Sequence, residues 1–272
     1  MTREVDPGAG HVTLPRVIRS EWIKFRTLRS SMWSLLVAVV IIVGLGTLFS
    51  ALRAHRFNQP GPDGGPRLAD FDPTTISLRG VFLAQLAIGV LGVLVVTGEY
   101  STGMIRSSLA AVPRRLPVLV AKALVFALAT LIVSELAVLL AFLLGQQALT
   151  STHLQASLST PGASRAVVGA GLYLTLMGLL AVGLGTLLRN TAAGIATFVA
   201  VVLVLPLIAN ALPDPYATDV GKYLPLNAGT QIMSVAHPDP TLLGPWAGLG
   251  VTALYAAVAL VAGSVVLKRR DA

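Results

Sequence analysis

The sequence predicts an all-α membrane protein with six transmembrane helices, and three observations carry that prediction. Of the 272 residues, 54% are hydrophobic and only 12% charged, about half the quarter that soluble domains carry. The apolar residues gather in runs of about 20, the length at which a helix crosses a ~30 Å hydrocarbon core; mean hydropathy is +0.78. The basic residues lie between and beside those runs, as orientation signals do. The net charge of +8 and the pI near 10.4 therefore point to membrane orientation and not to nucleic acid.

Taken in order, residues 1–15 are polar, contain Gly and Pro, and predict a flexible cytoplasmic tail. Residues 16–31 predict an interfacial helix. Ile18, Trp22, Phe25 and Met32 fall on one helical face, with Glu21, Arg19, Lys24 and Arg26 around it. A plain basic flank before the first span would equally place the N-terminus in the cytoplasm. The first span covers about 32–52. Its apolar run exceeds the ~7–15 residues of a secretory leader and no A-x-A-like site follows closely, so it reads as a retained helix. Residues 54–75, with Pro60, Gly61, Pro62, Gly64, Gly65 and Pro66, predict a flexible external loop.

Spans two and three cover about 76–97 and 116–144, the third long enough to tilt or to project into the cytoplasm. An external loop over 145–164 leads to span four, 166–188, which is rich in glycine and carries Ala181 and Gly185 at a small-xxx-small spacing suited to close helix approach. Arg189, Asn190 and Thr191 alone separate it from span five, 192–212, and Pro206 is expected to kink that span near its outer end. Residues 213–241 contain five prolines and the mixed run Tyr223 to Met233, too apolar for a free loop and too short to span. That run predicts a re-entrant or capping segment. Span six, about 242–267, ends in Lys268, Arg269 and Arg270, and 1–272 is one transmembrane domain.

Six spans put both termini on one side, and the basic residues test this. The proposed inside holds Arg3, Arg16, Arg19, Lys24, Arg26, Arg29, Arg106, Arg114, Arg115, Lys122, Arg189, Lys268, Arg269 and Arg270. These are 14 of the 20 Lys and Arg residues. Arg53, Arg56, Arg67, Arg79, Arg165 and Lys222 fall outside. The asymmetry predicts cytoplasmic termini.

Between spans two and three lies a polar interruption, Gly98 to Arg115, that is overbuilt for a turn. Ile105, Leu109 and Val112 stand at i, i+4 and i+7 and form an apolar helical stripe. Arg106, Arg114 and Arg115 surround it and Pro113 ends it. Such a short amphipathic helix is suited to touching a partner.

Chemistry of the chain's own is not indicated. No Walker A sequence, G-x-S-x-G elbow or H-E-x-x-H pair occurs. There is no cysteine, and His11, His55, His153 and His237 lack metal-ligand spacing, so no metal site is expected. The intramembrane polar residues are Arg79, Gln85, Glu135 and Lys122, the last near enough to the inner end of its span to snorkel. Glu135 lies 18 residues after Pro117 and Arg79 lies 18 before Thr97, so both sit about 27 Å above the inner boundary. Either they pair across spans two and three or both reach outer headgroup water.

Gly98-Glu99-Tyr100-Ser101-Thr102-Gly103-Met104-Ile105-Arg106, followed by Pro113-Arg114-Arg115 and Lys122, resembles the cytoplasmic segment of type-2 ATP-binding-cassette (ABC) exporter permeases. Ser20 to Arg26 resembles the interfacial helix of their actinobacterial members, and Tyr223 to Gly229 is similar to their external run. The resemblance implies a permease subunit in a bacterial cell membrane, pairing with a second permease chain as homodimer or heterodimer. A separate subunit would bind ATP and Mg and hydrolyse the nucleotide. It also implies that Glu99, Tyr100, Thr102, Gly103, Ile105, Arg106, Leu109, Pro113, Arg114 and Arg115 form the coupling contact with that subunit. Glu99 is further expected to bond the interfacial helix through Lys24 or Arg26. Drugs, peptide antibiotics, lipids and polysaccharides are the cargoes of such exporters. An ion-coupled secondary transporter would call for internal repeats and more intramembrane ionisable groups. A noncatalytic scaffold or sensor would use the short helix as another kind of dock.

Overall fold

A computed structural model describes residues 13–57, 71–104, 115–153, 155–236 and 238–269. The expected tail over 1–12, most of the first external loop (58–70) and the coupling stretch 105–114 lie outside these. Six helices are long and apolar enough to cross a membrane, and the described residues form an all-α bundle.

Helix α1 (Leu14–Thr27) starts on Pro15 and stops at Leu28, whose backbone is extended at φ −74° and ψ 110°. α2 (Arg29–Phe57) follows at once. The break corrects the expected face of α1. Met32 belongs to the next helix and is exposed, as are Trp22 and Ile23. The side turned to the bundle is instead Val17, Glu21 and Phe25, at i, i+4 and i+8, because the bundle offers Glu21 a charged partner. α2 runs further than 32–52 at both ends, and residues 54–57 are helical where a loop was expected.

Span two is divided. Asp72 caps the one-turn α3 (Pro73–Ser77) by accepting a hydrogen bond from the Thr75 N–H. After Leu78 and Arg79 the chain re-enters helix as α4 (Gly80–Ser101). Gly80 makes this elbow possible: a Cβ there would press on the backbone of α2 at Ile41 and Ile42. α4 also continues one turn past Thr97, so Glu99 and Tyr100 are helical residues. Thr102 caps the helix, and Gly103 turns the chain away at φ +73°.

α5 (Arg115–Ala148) is the longest span and hands over to α6 (Ala163–Leu188). α6 is the central helix: 78% of its apolar window is buried, against 61% for α4 and 28% for α2. Its small residues permit this. A Cβ on Gly183 would lie 2.6 Å from the Ala259 carbonyl carbon of the last helix, so the two backbones meet directly.

Arg189, in the left-handed conformation, ends α6, and Asn190 caps α7 (Thr191–Asn210) by accepting from the Ala193 N–H. α7 passes through a π-helical turn at Ala200–Val204 immediately before Pro206. Proline lacks the N–H that would bond the Val202 carbonyl and its ring crowds that oxygen, so the register widens there. Residues 213–241 form α8 (Tyr216–Gly221), α9 (Pro225–Thr230) and a 3-10 turn, Gln231–Met233. They lie over the end of the bundle remote from α1. Ile232 fills the space left by Gly169, and the Ala228 backbone lies against Gly248. α10 (Pro245–Arg269) closes the bundle.

Candidate functional site

At the α1 end, three helices that are distant in sequence bring four charges together in a buried cluster. Lys122, on the first turns of α5, donates to Glu21 Oε2 of α1 at 2.7 Å and to Glu99 Oε1 of α4 at 2.9 Å. Lys24 donates to Glu21 Oε1 at 2.7 Å and to the same Glu99 oxygen at 3.1 Å. The side chains of Glu21, Lys122 and Glu99 are 4%, 7% and 9% exposed, so water screens little of this network. Two carboxylates and two ammonium groups make it formally neutral, which is the condition under which buried charge is tolerated.

Burial alone would raise the Glu21 carboxyl. The charge and hydrogen bond of Lys122, joined by those of Lys24, outweigh it and hold Glu21 below its ordinary range. Burial would likewise lower Lys24, but its bonds to Glu21 and Glu99 raise it. Glu99 Oε2 is buried with no hydrogen-bond partner among the described residues. A cavity of about 20 Å³ lined by the four charged residues with Phe25, Leu28, Val95 and Val125 adjoins the cluster, room for one water molecule. Phe25 braces the other side of the joint, meeting Phe126 of α5 edge-on at 6.4 Å.

A second contact set lies at the same end. The Arg189 guanidinium stands 5.4 Å from the centre of the Tyr100 ring and donates to the Val266 carbonyl of α10 at 3.1 Å. Thr191 donates to the Thr97 hydroxyl at 2.8 Å. The short α6–α7 connection is thereby pinned to the last turn of α4.

Of the expected site residues, Glu99 does bond α1, through Lys24; Arg26 is exposed. Lys122 was expected to snorkel, yet it is 6% exposed, because two carboxylates at bonding distance outcompete water as its partners. Ile105, Arg106, Leu109, Pro113 and Arg114 lie outside the described residues, and Arg115 opens α5. Arg79 and Glu135 do not meet as an ion pair. Arg79 stands 6.0 Å from the centre of the Phe49 ring, and the Glu135 carboxyl packs against Gly171 of α6. Gln85 is fully buried: its amide donates to the Phe82 carbonyl at 2.8 Å and its oxygen accepts from Tyr173 at 2.5 Å. This ties α4 to α6 and uses up its polarity within the bundle.

Six apolar helices, with a buried charge cluster at the α1 end, define a multi-pass helical membrane protein. Residues 17–208 match the family described as ABC-2 family transporter protein; the match covers more than half of the chain, which belongs to that family. The chain is therefore an ABC permease subunit, and in this family the ATPase is a separate subunit. No curated protein matches the chain.

Proposed function

We propose that the chain couples ATP hydrolysis by that separate subunit to export of an amphipathic drug-, peptide- or lipid-like substrate across a bacterial cell membrane. It works as one half of a permease dimer, with both termini in the cytoplasm and α1 lying in the headgroup layer. The observation that carries this reading is the Glu21–Lys24–Glu99–Lys122 network. It joins α1 to the two helices that flank the stretch 105–114, so a push on that stretch meets a braced joint and is passed into α4 and α5 instead of being absorbed locally. Ile105 and Leu109 supply the apolar contact with the ATPase, and Arg106, Arg114 and Arg115 the charge complementarity. ATP and Mg are bound by the partner, with no cofactor in this chain.

The test is co-purification with a candidate ATPase subunit, followed by ATP hydrolysis in lipid. Ile105→Glu and Arg106→Glu are each expected to weaken assembly by about tenfold, worth ~1.4 kcal/mol. Assembly and hydrolysis unchanged in both variants would overturn the coupling role. A stable complex whose hydrolysis ignores the membrane chain would favour a noncatalytic scaffold.

A further inference from the structure

The end of the bundle remote from α1 holds a pocket that the export reading leaves unused. It measures about 260 Å³ and is lined by Thr75, Leu78, Arg79 and Phe82 from the α3–α4 elbow and by Thr230, Gln231, Met233 and Ser234 from α9 and the 3-10 turn. We propose that this pocket binds the phosphate headgroup of an anionic amphiphile whose hydrocarbon tail lies along α4.

Three features argue for that chemistry. First, the pocket has a cation with no matching anion. Arg79 is exposed and forms no ion pair among the described residues; its only ring contact, with Phe49, leaves its N–H fork open to a phosphate, which guanidinium recognises in bidentate fashion. The nearby Asp72 carboxylate is already engaged by the Thr75 N–H and hydroxyl and by the Val235 and Ala236 N–H groups at 2.7–3.0 Å. Arg165 is engaged next to the pocket's lining, donating to the Ser234 carbonyl at 2.7 Å. Second, Gln231 is only 8% exposed, yet its side-chain amide bonds no described residue. Unlike Glu99 Oε2, its amide atoms are not sealed off; they open onto the pocket and are available to bond a polar guest. Third, the mouth is amphipathic: Phe82 and Leu83, one turn along α4, are 46% and 45% exposed, an apolar path leading away from the cation. The volume is below the about 300–1,000 Å³ that encloses a whole drug-sized ligand, so it suits a headgroup.

The inference rests on the membrane reading above, and its placement in the outer leaflet rests on the proposed orientation. Its test needs neither the ATPase nor transport, so the two readings fail separately. The purified full-length chain in neutral detergent is titrated with fluorescent phosphatidylglycerol, with diacylglycerol and inorganic phosphate as competitors. Arg79→Gln is expected to weaken binding about tenfold and Gln231→Leu severalfold. Lys222→Gln, at a cation already paired with Asp219 at 2.9 Å, should leave binding unchanged. Failure of diacylglycerol to compete would support phosphate recognition. Competition by millimolar inorganic phosphate would assign free phosphate as the source, and its absence would assign the lipid. Unchanged affinity in both pocket variants, or equal competition by diacylglycerol, would overturn the proposal. Thermal melts accompany each variant, and if Arg79→Gln fails to fold, Gln231→Leu carries the test.

Discussion

Lys122→Met removes the cation that touches both buried carboxylates while keeping most of the side-chain volume. At the 2.7 and 2.9 Å separations observed, each attraction is worth about 6 kcal/mol at an effective dielectric of about 20, before desolvation is subtracted. After the substitution Lys24 alone must serve Glu21 and Glu99, leaving Glu21 Oε2 unpaired in the interior. Removing one partner of a buried ion pair costs about 3–5 kcal/mol, and that is the expected loss of stability in detergent, read by reversible SDS unfolding. The double variant Glu99→Gln with Lys122→Met restores neutrality around the Glu21–Lys24 pair. It should recover about 1–3 kcal/mol of the loss as a coupling term.

Because the groups are buried, about 0.5 M salt should hardly change the penalty. The pH dependence follows from the two shifts. Glu21 is depressed, so its contribution is present above its ordinary value of 4.5 and is lost as pH falls through the lowered value. Lys24 is raised, so its contribution is present below 10.5 and is lost as pH rises through the raised value. The penalty should stay level between those limits. A Lys122→Met variant within about 1 kcal/mol of the parent, the worth of a surface pair, would refute the account of the network as a buried joint.

At the opposite end, Asp72→Ala removes the acceptor shared by Thr75, Val235 and Ala236 and should cost about 1.5–3 kcal/mol by the same unfolding assay. Those bonds hold the Asp72 carboxyl below its ordinary value of 3.8 against the upward pull of burial, so the difference between parent and variant should persist at neutral pH and fade only as pH falls below that value. Gly183→Ala drives a methyl into the Ala259 backbone and should destabilise by about 1–3 kcal/mol; a parallel substitution at Gly250, where a Cβ meets nothing within 4 Å, should be tolerated.

The spans were legible because hydropathy reports depth along one dimension: the sequence-derived limits of 166–188 for span four fall within three residues of Ala163–Leu188. Rotation about each helix axis was less legible. The apolar face assigned to α1 included Trp22 and Met32, which turn outward, because the charged residues Glu21 and Lys24 are drawn inward by partners 75 to 101 positions away. The clue available was charge balance, since Glu21, Lys24, Glu99 and Lys122 all stand beside a span boundary on the same predicted side, two acids and two bases. Depth counting placed Arg79 and Glu135 at one level, but equal depth does not fix azimuth, and they face different neighbours. The elbow at Leu78–Arg79 was hidden because an apolar run reads as continuous whether or not its helix bends.

The burial of α6 has a mechanical consequence. A helix whose backbone touches Val93 on one side and Ala259 on another cannot tilt without prising several neighbours apart, and close-packed interiors resist that. α2 and α7, each with only 28% of its apolar window buried, have fewer contacts to break, whereas α10 is held to α6 along the Gly183–Ala259 contact. Among the described helices α6 is therefore the one most firmly held in place, and α2 and α7 are held least.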